Sequence, residues 1–401
     1  MKRESPFTPR YPVPNDLFVG REDIIRELLR YIRQAASGRQ EHIFLVGERG
    51  IGKTSLASYL GHVAQIKAGL LPVHINLAGV TTLEELVRNV FEGILNAANQ
   101  RHWLARVKSL FGEYISQIGL FGVSLSFKPP SDKLTHLVSH FPEALSNTLQ
   151  KIREQTKGLF IVLDDINGLC RTDEFALWYK GFVEEISSHY SDLAIAVMPV
   201  GLPEIRYALV EHQPSLMRVF SIQRVSTLSN EEVERFFQTA FEKVGLRVEP
   251  PAMKILVTHS GGLPIVMQEI GDAVFTANKG DLIDEGDVVK GLLAAAETMG
   301  QKYLEPRVYQ AIQSKRYRSI LRQLGSLGPS AHFKRAELQG KLTVKDKEVL
   351  HNFLRRMREL GVIAQDRERG RGWYRFTNPL YPLYISMEEI RYRTKRSRKR
   401  A

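Results

Sequence analysis

The segment Gly47-Glu48-Arg49-Gly50-Ile51-Gly52-Lys53-Thr54 constrains this chain more than any other. It has the pattern G-x-x-x-x-G-K-[ST], and each residue type in it has a physical reason. The glycines let the loop wrap closely around phosphate and expose backbone N–H donors. Lys53 supplies a mobile positive charge to the β- and γ-phosphates, and the Thr54 hydroxyl can join the shell of Mg²⁺. The context agrees. The apolar run Ile43-Phe44-Leu45-Val46 reads as a buried parallel strand before the loop. Thr54 to Ile66 has helical character after it, so a helix dipole points its positive end at the same anion. The spacing predicts a site for ATP and Mg²⁺ along Gly47 to Thr54, with Ser55 next to it.

A second acidic motif fits the first. Gly158-Leu159-Phe160-Ile161-Val162-Leu163 is the most apolar strand candidate, and it ends at Asp164-Asp165. A carboxylate there lies at the ligand edge of a parallel sheet, beside the phosphate loop. Asp164 would hold the Mg²⁺ shell, and Asp165 would orient or deprotonate the attacking water. The plainer reading is an Asp pair that starts a loop. Val73 to Leu77 and Leu193 to Met198 are further strands, with a helix over Leu83 to Leu95. Strands alternating with helices predict an α/β fold, a parallel sheet with helices on both faces. An insertion at about 100–135 separates the two motifs; Ile115 to Phe127 ends in an alternation that suits strands or a hairpin.

The rest of the chain divides by texture. Residues 1–17 carry prolines at 6, 9, 12 and 14 and read as an extended arm. The ATPase core would span 18–226. Over 227–300 the pattern is all-helical: Ser229 to Glu232 is a capping box, and helices follow over Ala252–His259, Pro264–Asn278 and Asp287–Met299. Over 301–388 the order is helix, helix, helix, hairpin: Arg318–Leu327, Lys334–Gln339, Lys345–Leu360, then strands Val362–Ala364 and Trp373–Phe376. That order is a winged helix-turn-helix. Residues 389–401 form a basic tail with no apolar pattern, expected to be disordered alone.

Composition narrows the partners. The chain has 401 residues, 43% hydrophobic and 25% charged, so two or three domains are expected. No window of 18 apolar residues and no secretory signal occurs. The lone Cys170 forbids an internal disulfide and reads as a small core residue. A cytoplasmic setting follows. The net charge is +12, yet residues 301–401 hold 25 Lys+Arg against 9 Asp+Glu. A polyanion partner would explain this asymmetry; a solubilising tail is the plainer account. Arg355, Arg356 and Arg358 on the third helix and Arg367, Arg369 and Arg371 on the wing are the candidate DNA contacts, in the groove-and-backbone geometry of such modules. Winged helices also dock proteins. His136 and His140 lie four apart, but no third metal ligand is evident.

Phe18-Val19-Gly20-Arg21-Glu22 resembles the FVGRE element of initiator-type (origin-recognition-like) AAA+ ATPases and of STAND signalling ATPases. Asp164-Asp165-Ile166 is similar to their acidic strand end, and Gly262-Leu263-Pro264 to the Gly-x-Pro element of a STAND helical lid. The terminal module, with Tyr374-Arg375-Phe376-Thr377-Asn378-Pro379, is similar to archaeal-type ATPases, so the likeness spans about residues 15–390. The resemblance implies that Phe18 and Val19 lie beside adenine and that Pro264 of the lid contacts nucleotide. It also implies a homo-oligomer, in which Arg218 reaches a neighbour's γ-phosphate; a surface arginine is the alternative, and Arg224 is the competing candidate. Two departures stand out. Met198-Pro199-Val200-Gly201 has no Asn or Thr at the sensor-1 position, and no Arg lies between Gly261 and Asn278. Both favour a slow or partner-stimulated ATPase. Two functions follow: an ATPase whose nucleotide state gates a DNA-binding winged helix, or a signalling or defence switch in which that module docks protein.

Overall fold

The computed structural model describes residues 4–100, 110, 114–118, 124–327, 332–366, 369–378 and 380–398. They fall into two compact units, residues 14–226, and residues 1–13 together with 227–401. The first unit runs α1 (Glu22–Ala36), β1 (Glu41–Val46), α2 (Lys53–Ala68), β2 (Leu70–Asn76) and α3 (Leu83–Asn99). A hairpin of β3 (Ile115–Ile118) and β4 (Ser124–Phe127) follows, then α4 (Ser131–Ser139), α5 (Phe141–Ile152) and β5 (Gly158–Asp164). The unit closes with α6 (Glu174–His189), β6 (Ile195–Gly201), α7 (Pro203–His212), α8 (Leu216–Val219) and β7 (Ser221–Arg224).

Five of these strands form one parallel sheet in the order β2-β5-β6-β1-β7. Every residue of β5 and β6 is buried, as a sheet covered on both faces requires. Phe44, Val73, Phe91, Leu159, Ile161 and Tyr179 share one core cluster. In the region read as an insertion, the expected hairpin pairs Ile118 with Ser124. Phe127 is fully buried there and its amide bonds Glu92 Oε2 at 3.0 Å. The remainder of that insertion, 101–109, 111–113 and 119–123, lies outside the described residues. Cys170 is buried as expected, which pushes its thiol up to about 12.

His42 on β1 is buried, and its Nδ1 meets the Tyr179 hydroxyl at 2.9 Å. Burial lowers its pKa to about 4. The unfolded chain takes up that proton near 6.5, so protons favour unfolding. Stability is whole above that pH and is lost as pH falls towards 4, by about 3 kcal/mol for this ring. Urea titrations of the first unit at several pH values should show this slope, and His42→Gln should flatten it. An equal slope in the variant contradicts the assignment.

The second unit begins with the arm. Residues 4–13 hold no helix or strand, and Phe7 is buried against Phe236, Phe237 and Phe241. After residue 226 come α9 (Asn230–Lys243), β8 (Arg247–Val248), α10 (Pro250–Ser260), α11 (Pro264–Ala277), β9 (Leu282–Ile283) and α12 (Glu285–Met299). The capping box at Ser229 is complete. The boundary expected near 300 falls within continuous helix, because a π-helical stretch, Gly300–Tyr309, prolongs α12. Then follow α13 (Lys315–Gly325), β10 (His332–Lys334), α14 (Arg335–Gly340), α15 (Val344–Glu359), β11 (Ile363–Gln365), β12 (Trp373–Phe376) and α16 (Leu380–Arg398). The hairpin gains a third strand, giving an antiparallel sheet β10-β12-β11. The segment from residue 389, read as a tail without order, continues α16 as far as Arg398. Tyr384 and Ile385, buried in the core of this module, anchor the helix that the tail extends.

Candidate nucleotide site

The phosphate loop sits where the sequence put it, between β1 and α2. Gly50 and Gly52 take φ of 75° and 86°, a region that an L side chain reaches only with strain. Gly52 is the N-cap of α2, so the sixteen-residue helix opens on the loop with its positive dipole end. The Lys53 Nζ donates to the carbonyls of Gly47 at 2.7 Å and Glu48 at 2.9 Å, which folds the ammonium back over its own loop. Burial lowers the Lys53 pKa, while the nearby charges of Asp164, Glu48 and Asp165 act the other way. Glu48, Arg49 and Thr54 are exposed, Ser55 half-buried and Ile51 buried. The loop's open side is therefore polar and its anchor apolar.

Asp164 ends β5 beside Asn76, the last residue of β2. It is 7% exposed, and its Oδ2 lies 3.1 Å from the His74 Nε2. Asp165 follows with φ 64°, a left-handed backbone that costs a non-glycine residue about 1 kcal/mol or more. The two carboxylates have different partners, His74 for Asp164 and Asn167 for Asp165. Among the described residues no cluster of three or more His, Cys, Asp or Glu could hold a metal alone. One carboxylate and one hydroxyl, Asp164 and Thr54, suit Mg²⁺, which keeps several waters and shares phosphate oxygens.

The element Phe18 to Glu22 braces this loop. Phe18 stacks on Tyr59 of α2, centroids 4.5 Å apart at 11°, and Val19 is half-buried beside it. Arg21, at φ 62°, caps α1 and is 8% exposed. Its guanidinium donates to the carbonyl of Gly52 at 3.2 Å and to that of Ile51. Sequence reasoning quoted Arg21 only as part of a motif. His74 and Arg21 as supports of the site were both missed, since neither carries a local signal.

The arginine candidates separate. Arg224 ends β7 level with Val46, the residue before the loop. Arg218 is exposed on α8, before the opposite end of β7, so it does not join the loop of its own chain. Pro264 opens α11 in the second unit.

In that unit Arg355, Arg356 and Arg358 are exposed on α15, and Arg371 is exposed on the β11–β12 loop. Arg367 lies outside the described residues. Arg355 and Arg356 approach Glu359 at 3.8 and 3.3 Å. Exposed pairs like these are worth about 0.5 kcal/mol or less, so a phosphate could displace them. Arg369 lies over Trp373 at 5.4 Å, and its Nε is 3.5 Å from Asp366. Asp366 is buried and also meets His332 at 2.7 Å. Burial raises the Asp366 carboxyl, but the Arg369 amide, the His332 ring and the Arg369 guanidinium outweigh it, leaving its pKa below the ordinary value. His136 and His140 stack at 4.1 Å, again with no third ligand among the described residues. No described helix is long and apolar enough to cross a membrane.

Residues 17–179 match the AAA ATPase domain family. No curated protein matches the chain. A Walker-type ATPase of Pyrococcus abyssi shares the fold, with a TM-score of 0.56 at 15% identity over 92% of this chain and 96% of that one. The ORC2 protein of Aeropyrum pernix, solved with ADPNP and ADP, has a TM-score of 0.56 at 14% identity over 94% and 95%.

Proposed function

We propose that the AAA ATPase domain of residues 17–179 hydrolyses ATP slowly and that its nucleotide state governs DNA binding by the module at 301–388. The observation that carries the catalytic part is the sheet register: Asp164 ends β5 level with Val200 of β6, and the next residue, Gly201, bonds the amide of Gly47, whose carbonyl holds Lys53. Loop amides and Lys53 bind the phosphates; Phe18 and Val19 border the base. Thr54 and Asp164 would hold Mg²⁺, which when bound would neutralise phosphate charge. Asp165 orients a water for attack on the γ-phosphorus. The new P–O bond forms as the bond to the β–γ bridging oxygen breaks, ADP carries away that electron pair, and the water's proton passes to Asp165 or the departing phosphate.

Slow turnover follows from what the site lacks on its own chain. β6 ends in Met198-Pro199-Val200-Gly201, all apolar, and Arg218 lies before the end of β7 opposite to the loop. Arg218 could complete the site of a neighbouring copy, so assembly would set the rate, with a gain of roughly 10³-fold or more.

The exposed arginines of α15 and of the wing support DNA as the partner. Anisotropy with duplex DNA should give a log–log salt slope of about −0.9 for each phosphate neutralised. Arg355→Ala should reduce its size by about 1 and weaken binding on every sequence alike. A flat slope, or no binding at low salt, removes DNA and leaves protein docking as the module's use.

A further inference from the structure

We propose that Asn167 is a positioning residue that aims the Asp165 carboxylate at the attacking water; the proposal rests on the hydrolysis reading above. β6 offers no side-chain hydroxyl or amide at its C-terminal end to hold the attacking water. The structure places an amide beside that end from another element. Asn167 lies two residues beyond Asp165, in the turn that follows β5. Its Nδ2 donates to Asp165 Oδ1. Its Oδ1 accepts from the backbone N–H of Leu202, the residue after β6, at 3.1 Å.

The amide orientation is fixed by chemistry. Leu202 N–H is a donor, so the Asn167 oxygen must face it, and the nitrogen is left for the carboxylate. The bonding continues beyond Leu202. Gly201 O accepts from Gly47 N at 3.4 Å, and Ile166 N donates to Val200 O at 3.1 Å. One chain of hydrogen bonds thus runs from the Asp165 carboxylate, through Asn167 and the end of β6, to the first residue of the phosphate loop.

Three features make an asparagine suited to this place. It donates and accepts at once, which alanine cannot. It is neutral, whereas an aspartate would repel Asp165. Its grip on one oxygen of Asp165 offsets the freedom of a carboxylate on a left-handed, half-exposed turn and leaves the second oxygen to water. Pre-set aim of this kind matters because a misplacement of about 1 Å can cost about 10²-fold in rate.

The test is steady-state hydrolysis of Mg·ATP by the full chain, with nucleotide affinity measured beside it. Asn167→Ala should lower kcat by about 10²-fold and leave KM and nucleotide affinity within about twofold. Asn167→Asp keeps the acceptor for Leu202 and changes shape least, yet should lose at least as much kcat. It carries the test if Asn167→Ala fails to fold. On top of Asp165→Asn, Asn167→Ala should cost nothing further, because the group it aims is already gone. Wild-type kcat in both Asn167 variants overturns the inference, as does a raised KM at unchanged kcat. Wild-type protein that binds ATP yet never releases phosphate overturns both this inference and the hydrolysis reading.

Discussion

Lys53→Ala should weaken nucleotide binding by about 30- to 150-fold, the equivalent of losing about 2–3 kcal/mol of charge-assisted hydrogen bonding. The ammonium already sits within the loop, held 2.7 Å from the Gly47 carbonyl, so it is placed for a phosphate before one arrives. Burial makes it costly to keep that charge without an anion, and the lowered pKa records that cost. A triphosphate relieves it. Truncation removes the charge while leaving Gly50, Gly52 and the α2 N-terminus in place, so weak binding through backbone amides should survive. Lys53→Arg should also lose affinity, since a rigid guanidinium fork does not replace a compact ammonium. Equilibrium binding of a fluorescent ATP analogue checks this, with melting temperature as a second readout. Wild-type protein gains about 2.7 kcal/mol at ligand a hundredfold above Kd, and the variant should lose most of that gain at the same concentration. Undiminished uptake would take Lys53 out of the site.

Phe7→Ala should cost the second unit about 3–5 kcal/mol, the usual loss when a buried phenylalanine is truncated in a core. The ring is 4% exposed and lies 4.9 Å from Phe241, centroid to centroid. It also covers Gly271, where a Cβ would approach the ring to 2.2 Å. Flanking bonds hold the arm: Ser5 Oγ to Asp272 at 2.6 Å, and Thr8 N to the Gln268 Oε1 at 2.6 Å. Gln268 is buried, so releasing the arm would also expose or strand its amide. Gly271→Ala should act like Phe7→Ala by expelling the same ring. Hydrogen exchange should show the loss in α9 and α11, and denaturation followed on the second unit should give its size. A change below about 1 kcal/mol would mean that the arm does not hold this unit together.

What could be read from the sequence was local. The phosphate loop is one stretch of eight residues, and the strands before it and before Asp164 announce themselves by unbroken apolar runs. The capping box at Ser229 spans four residues and is found as expected. Where reading failed, the contact was distant. Arg21 meets Ile51 across 30 positions, His74 meets Asp164 across 90, and Thr8 meets Gln268 across 260. No periodicity encodes such pairs. The strand order β2-β5-β6-β1-β7 was equally beyond reach, because pattern gives a strand but not its neighbour. Polarity misled at strand and helix ends: β1 begins at Glu41 and α13 at Lys315, each outside the apolar run that marked the element. β10 is only three residues long and depends on its pairing with β12. The same limit applies to Asn167, whose partner Leu202 lies 35 positions away.

Calorimetric titration of Mg·ATP into the intact chain addresses the whole reading at once. It should give saturable heat at one site per chain, weakened when the metal is chelated, because in the proposed site Thr54 and Asp164 would reach the nucleotide only through that ion. A silent titration, with no heat at any nucleotide concentration and no shift in melting temperature, would contradict it.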